Sequence, residues 1–122
     1  MANKQTGFTL IELVMVIVIL GVLAAVAMPK FIDLGSDARA AAAAGVAGGL
    51  SSASAVNYAA RKAVATKGSA VANCTDVGPL LQGNVPTGYG ITAAAIVADA
   101  SASCTLTPPI GPTVTFQATG IL

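Results

Sequence analysis

Histidine and tryptophan are both absent from this sequence, and charge is scarce: six Lys and Arg and five Asp and Glu among 122 residues, 9% in all. Histidine is the commonest metal ligand and general base, so its absence removes Ser–His and Cys–His pairs and the usual metal triads. The acids Asp33, Asp37, Asp76 and Asp99 are dispersed and do not read as a calcium loop. Gly88–Ile91 (GYGI) is followed by no Lys-Ser/Thr and is not a phosphate loop. A net charge of +1 gives no bulk attraction for nucleic acid, and no specific nucleic-acid site is expected. The chain therefore reads as a non-enzyme with no cofactor and no metal. Cysteine is limited to Cys74 and Cys104. In an exported segment the two read as one disulfide rather than two unrelated thiols. Its loop of about 30 residues would add roughly 3–4 kcal/mol in the chain-entropy account.

What the chain has in abundance is apolar side chains, 55% of the total, contributed by alanine and by the first thirty residues. Residues 1–7 (MANKQTG) are short and polar with one cation, Lys4. Residues 8–28 are then apolar except for Thr9 and Glu12. Roughly 21 residues make about 32 Å of helix, enough to span a bilayer core. A cleaved secretory signal is the competing reading, with AAVAMPKF as a weak exit.

Residues 30–67 form a second helical region. On a helical wheel Phe31, Ala38, Ala42, Val46, Gly49, Leu50, Ala53, Val56, Ala60 and Val64 share one face. Lys30, Asp33, Asp37, Ser51, Ser54 and Lys62 fall on the other, with Arg39 and Asn57 as exceptions. The phase holds for about nine turns, as in one continuous amphipathic helix. Arg61, Lys62 and Lys67 near its end, then Gly68, fit a C-terminus. Gly45, Gly48 and Gly49 each cost about 1 kcal/mol against alanine, so packing must hold this stretch. It packs on the protein's own sheet, on a neighbouring subunit, or on both.

After Ser69 the turn residues Gly and Pro recur, separating β-like runs at 89–97, 103–107 and 113–118. A helical turn fits 77–82. About three short antiparallel strands carry too little core to stand alone, so the helix face must floor them. The expected class is α+β: a long N-terminal helix packed on a small antiparallel sheet. The expected divisions are a leader at 1–7, a membrane half at 8–29, an amphipathic half at 30–67, and a disulfide-closed head at 68–122.

The acid Glu12 is the most informative residue. A carboxylate in a membrane helix is costly and usually functional, although this one is near enough to the start to snorkel to the headgroups. G-F-T-L-I-E-L at 7–13, with Gly21 inside the apolar run and Pro29 near its end, resembles the N-terminal signature of type IV pilins and the related pseudopilins. PKFIDLGSDARAA and CTDVGPLLQG look most like the mannose-sensitive haemagglutinin type.

The resemblance implies a pilin fold and a structural, non-catalytic subunit of an adhesive or motile surface filament. It implies cleavage between Gly7 and Phe8 by a prepilin peptidase and N-methylation of Phe8. It implies that Glu12 meets the amine of Phe8 in a helical homo-oligomer, setting register, and that residues 21–29 loosen between Gly21 and Pro29. Its implied partners are the inner membrane of a Gram-negative cell before assembly, then the assembly platform and secretin. Alternatives are a pseudopilin of a type II secretion system, or a monomeric bitopic membrane protein that keeps its leader. Pseudopilins of that system carry acidic calcium ligands late in the chain, where this sequence has only Asp99 after Asp76. Arg61, Lys62 and Lys67 read as a solvated helix end rather than a DNA patch.

Gly7 has no side chain to obstruct a scissile bond. Replacing it with leucine should leave the full-length precursor as the dominant band on a gel; normal maturation would refute the assignment.

Overall fold

A computed structural model describes residues 7–122, with the backbone alone at 29–34. Apart from Gly7, the expected leader and its Lys4 lie outside the described residues. The chain divides into two compact units, residues 1–36 and 37–122. A single helix, α1, runs from Leu10 to Ala63. It therefore joins the two helical regions read from the sequence, and its backbone stays helical through Pro29 despite the missing N–H.

Within the first unit, Leu10–Met28 has a mean hydropathy of 3.0 and none of it is buried. It is long and apolar enough to cross a membrane. Its large side chains, from Leu10 and Ile11 to Val26 and Met28, are all exposed.

The second unit carries a three-stranded antiparallel sheet in the order β1 (Gly90–Ile91), β2 (Ser101–Thr107) and β3 (Val114–Thr119). Ser101 pairs with Thr119 and Leu106 with Val114; Ile91 pairs with Leu106. The first strand is shorter than the 89–97 run suggested. Its remainder serves other contacts: Ala94 O accepts from Cys74 N–H at 2.9 Å, and Ile96 N–H donates to Ala72 O at 2.8 Å. A 3-10 helix, Cys74–Leu80, replaces the helical turn expected at 77–82. Asn73 and Asp76 form a capping box at its start, and Asn73 Oδ1 also accepts from Ala94 N–H at 3.1 Å. Cys74 and Cys104 are joined in a disulfide with both residues buried, tying this short helix to β2.

The core gathers Ala47 and Leu50 of α1 with Val71, Val77, Ile96, Leu106, Phe116, Ala118, Ile121 and the disulfide. The helix does floor the sheet, but not with the whole face read from the sequence. Its buried positions are Ala43, Ala47, Leu50, Ser54 and Asn57. Val56 is 66% exposed and Val64 45% exposed, whereas Ser54 is only 1% exposed. The reason is hydrogen bonding at the sheet edge. Gln117 N–H donates to Ser51 Oγ at 3.1 Å, and Thr119 N–H donates to Ser54 Oγ at 2.9 Å. Hydroxyls the wheel assigned to solvent are thus drawn to backbone amides of β3.

The helix also ends four residues earlier than expected. Asn57 donates from Nδ2 to Ser69 O at 2.9 Å and accepts Ser69 N–H on Oδ1 at 2.8 Å. That pair folds the chain back beside the helix, and Gly68 makes the turn at φ +74°. A Cβ on Gly68 would lie 2.6 Å from Asn57 Oδ1.

Gly68→Ala should therefore destabilise residues 37–122 by about 1–3 kcal/mol, and Leu50→Ala by about 2–5 kcal/mol. Urea unfolding of the detergent-solubilised chain followed by tyrosine fluorescence checks both, since Tyr58 and Tyr89 lie in this unit. Replacing both cysteines by alanine should cost roughly 3–4 kcal/mol in the same assay.

Candidate functional site

The N-terminal signature residues occupy the first turn of α1. Thr9 is the residue before the helix, and its carbonyl accepts the first helical bond, from Leu13 N–H at 3.2 Å. Its hydroxyl accepts Glu12 N–H at 3.4 Å. In return Glu12 Oε2 accepts Thr9 N–H at 2.8 Å and the Thr9 hydroxyl proton at 2.7 Å. This is a reciprocal capping box, which satisfies helix-start donors with a side chain at each end. Thr9 was missed as a partner of the acid. The T-L-I-E spacing carries that signal, because Ser/Thr followed three residues later by Glu is the capping-box pattern. Glu12 is therefore not a bare acid: it is engaged by its own chain.

Both Thr9 bonds fall on Oε2, and Oε1 accepts none among the described residues. Phe8 is 86% exposed beside the box. An added Cβ on Gly7 or Gly21 would meet nothing within 4 Å, so neither glycine answers a packing demand of its own chain. The Pro29 side chain lies outside what is described. Gly45 and Gly48 are equally open, while a Cβ on Gly49 would sit 3.8 Å from Leu81.

At the other end of α1 the basic group splits. Lys62 Nζ lies 2.6 Å from Asp99 Oδ1 and 5.6 Å from the centre of the Tyr58 ring, and Tyr58 Oη donates to the same Asp99 oxygen at 3.0 Å. Asp99 sits in the left-handed region at φ +60°, which Asp tolerates better than most residues. Its hydrogen bond from Lys62, then that from Tyr58, hold its carboxyl below the usual Asp value. The bond to Asp99 holds Lys62 above the usual Lys value. Lys62 is thus paired with an acid of its own unit. On another face of α1, Gly49, Ala53, Val56 and Ala60 face Leu80–Gln82 across an uncharged groove of about 510 Å³.

Residues 2–28 match the family described as the prokaryotic N-terminal methylation motif. About a third of the chain is also similar to known pilus proteins. Over 38 residues it is 55% identical to the type IV narrow pilus major component PilA5 of Thermus thermophilus, covering 31% of this chain and 33% of that protein. Over 48 residues it is 50% identical to a fimbrial protein of Moraxella nonliquefaciens, covering 39% of this chain and 31% of that one. The chain thus spans about a third of the length of the curated relatives it matches. No solved structure matches it. What these matches show is a likeness to the methylation-motif family and to pilus proteins; the matched residues 2–28 include the exposed apolar span Leu10–Met28.

The Lys62–Asp99 clasp has a defined pH window. A lowered Asp pKa contributes stability above the ordinary value of 3.8 that is lost as pH falls through the folded value. A raised Lys pKa contributes stability below 10.5 that is lost as pH rises through the folded value. The clasp should be constant through the neutral range and open only towards either extreme. The Lys62 Hε chemical shift, followed by NMR, should change as Asp99 titrates towards the acid extreme, a change that Asp99→Asn abolishes.

Proposed function

We propose that this chain is the precursor of a structural subunit of a type IV pilus. The observation that carries the reading is the Thr9–Glu12 capping box, set at the head of an uncovered apolar span within the methylation motif. In this reading residues 1–7 are the leader, 8–29 the membrane and filament-core half of the helix, 30–67 its amphipathic half, and 68–122 the head. A prepilin peptidase cuts between Gly7 and Phe8 and methylates the new amine. The capping box uses only Thr9 and Glu12, so removing everything before Phe8 leaves it whole. The cut adds a cation next to an acid whose Oε1 accepts no bond among the described residues. In low dielectric an ammonium and a carboxylate attract strongly, and a buried charge without a partner is heavily penalised.

The amine of a neighbouring copy therefore docks on Glu12, and that contact sets the register of a helical homo-oligomer. Cohesion comes from repeated apolar contacts along Leu10–Met28. The filament also covers the open face at Val56 and Ala60. Gly21 and Pro29 bound the segment that loosens when the filament stretches. Before assembly the chain sits in the inner membrane of a Gram-negative envelope; afterwards it leaves through the assembly platform and secretin as an extracellular filament for adhesion or motility. PKFIDLGSDARAA and CTDVGPLLQG support the mannose-sensitive haemagglutinin type within the family.

Mass spectrometry of the mature chain should find an N-methylated Phe8 as its first residue; a chain still beginning at Met1 in assembled material would overturn the reading. Glu12→Gln keeps an oxygen acceptor for Thr9 but removes the charge. It should leave insertion and cleavage intact and reduce sheared filament yield at least tenfold by immunoblot, whereas wild-type yield would remove Glu12 from assembly.

A further inference from the structure

β3 is a terminal strand of the sheet, and its outward N–H groups are where another chain would add. Pairing alternates along a strand, so Gln117 and Thr119 turn their amides away from β2 while Phe116 and Ala118 turn theirs towards it. The outward pair is already taken, by Ser51 Oγ and Ser54 Oγ. Ser51 is fixed in turn by donating its own proton to Ala47 O at 3.0 Å. Ser54 is sealed at 1% exposure. Serines three apart lie on one helix face, and amides two apart lie on one strand edge. Nothing about helix formation requires these hydroxyls, since Ser is a poorer helix former than Ala.

We infer that Ser51 and Ser54 act as a surrogate strand, closing the β3 edge against strand pairing with a second copy of this chain. The inference rests on residues 37–122 alone and stands whether or not the chain builds a pilus. Its significance is greatest where identical copies are concentrated, because identical edges are self-complementary. Without the hydroxyls the two amides have no donor outlet inside the molecule, and the carbonyls beside them offer a ready antiparallel partner.

The test uses the full chain in detergent micelles. In Ser51→Ala/Ser54→Ala, NMR-detected hydrogen exchange at Gln117 and Thr119 should rise at least tenfold while Phe116 and Ala118 stay protected. Chemical cross-linking should show new dimers and larger species. Adding Thr115→Pro, which bars β3 from a new ladder, should return the cross-linking pattern to that of the wild type. Ser51 is only half-buried, so Ser51→Ala alone decides the matter if the double variant loses its fold: it should expose Gln117 and raise cross-linking to a smaller degree. Unchanged exchange would overturn the inference. So would faster exchange with wild-type cross-linking, or new oligomers that Thr115→Pro leaves in place.

Discussion

The head is built under a shortage of apolar bulk, and its other features answer that constraint. Phe116 is the one aromatic side chain in its buried core, and much of the rest is alanine, valine and the disulfide. A sheet this small cannot hold its strands by burial alone. α1 therefore supplies two things at once. Ala43, Ala47 and Leu50 bring the helix close beneath the strands, and Ser51 and Ser54 bond the amides of β3. Small side chains permit the approach, and the approach brings the hydroxyls within hydrogen-bond reach. Asn57 extends the same arrangement past the helix end by pairing with both backbone groups of Ser69. Buried Ser54 and Asn57 are thus bonded to main chain, which is what makes their burial tolerable.

The two units distribute apolar surface in opposite ways. Residues 37–122 gather a buried core around Leu50 and Phe116, with Val56, Val97, Ile110 and Leu122 left exposed, while Leu10–Met28 conceals none. A span that exposed needs lipid or other apolar helices around it. The polar chemistry of the span is confined to its first turn, where Thr9 and Glu12 bond each other through one carboxylate oxygen, Oε2. Charge at the far end of α1 is quieted differently, by Asp99 reaching both Lys62 and Tyr58. Each of these two acids is bonded to neighbours within its own unit.

Much of the architecture was legible from pattern. The 3.6-residue phase located α1, the turn residues located β2 and β3 within two residues, and two lone cysteines in a turn-rich head gave the disulfide. Polarity misled where a short polar side chain had main chain to bond. Ser54 reads as solvent-facing on any hydropathy scale, yet it is among the most buried residues because Thr119 needs an acceptor. The early helix end depends on Asn57 meeting Ser69, a contact between two parts of the chain that no local propensity contains. The shortness of β1 has the same origin, since Ala94 and Ile96 bond to Cys74 and Ala72 instead of extending the sheet. At the N-terminus the opposite happened. The Thr9–Glu12 spacing was a purely local signal, overshadowed by the oddity of an acid in an apolar run.

The position of the disulfide orders events in time. Both cysteines are at most 1% exposed, beneath the 3-10 helix and β2. Thiol–disulfide exchange requires a thiolate to reach a sulfur in line, and no oxidant or reductant reaches these through the closed head. The bond must form while the last third of the chain is still open, and breaking it requires opening the head again. Oxidation is thus a step of folding rather than a later adjustment, and a finished head keeps a record of the compartment in which it closed.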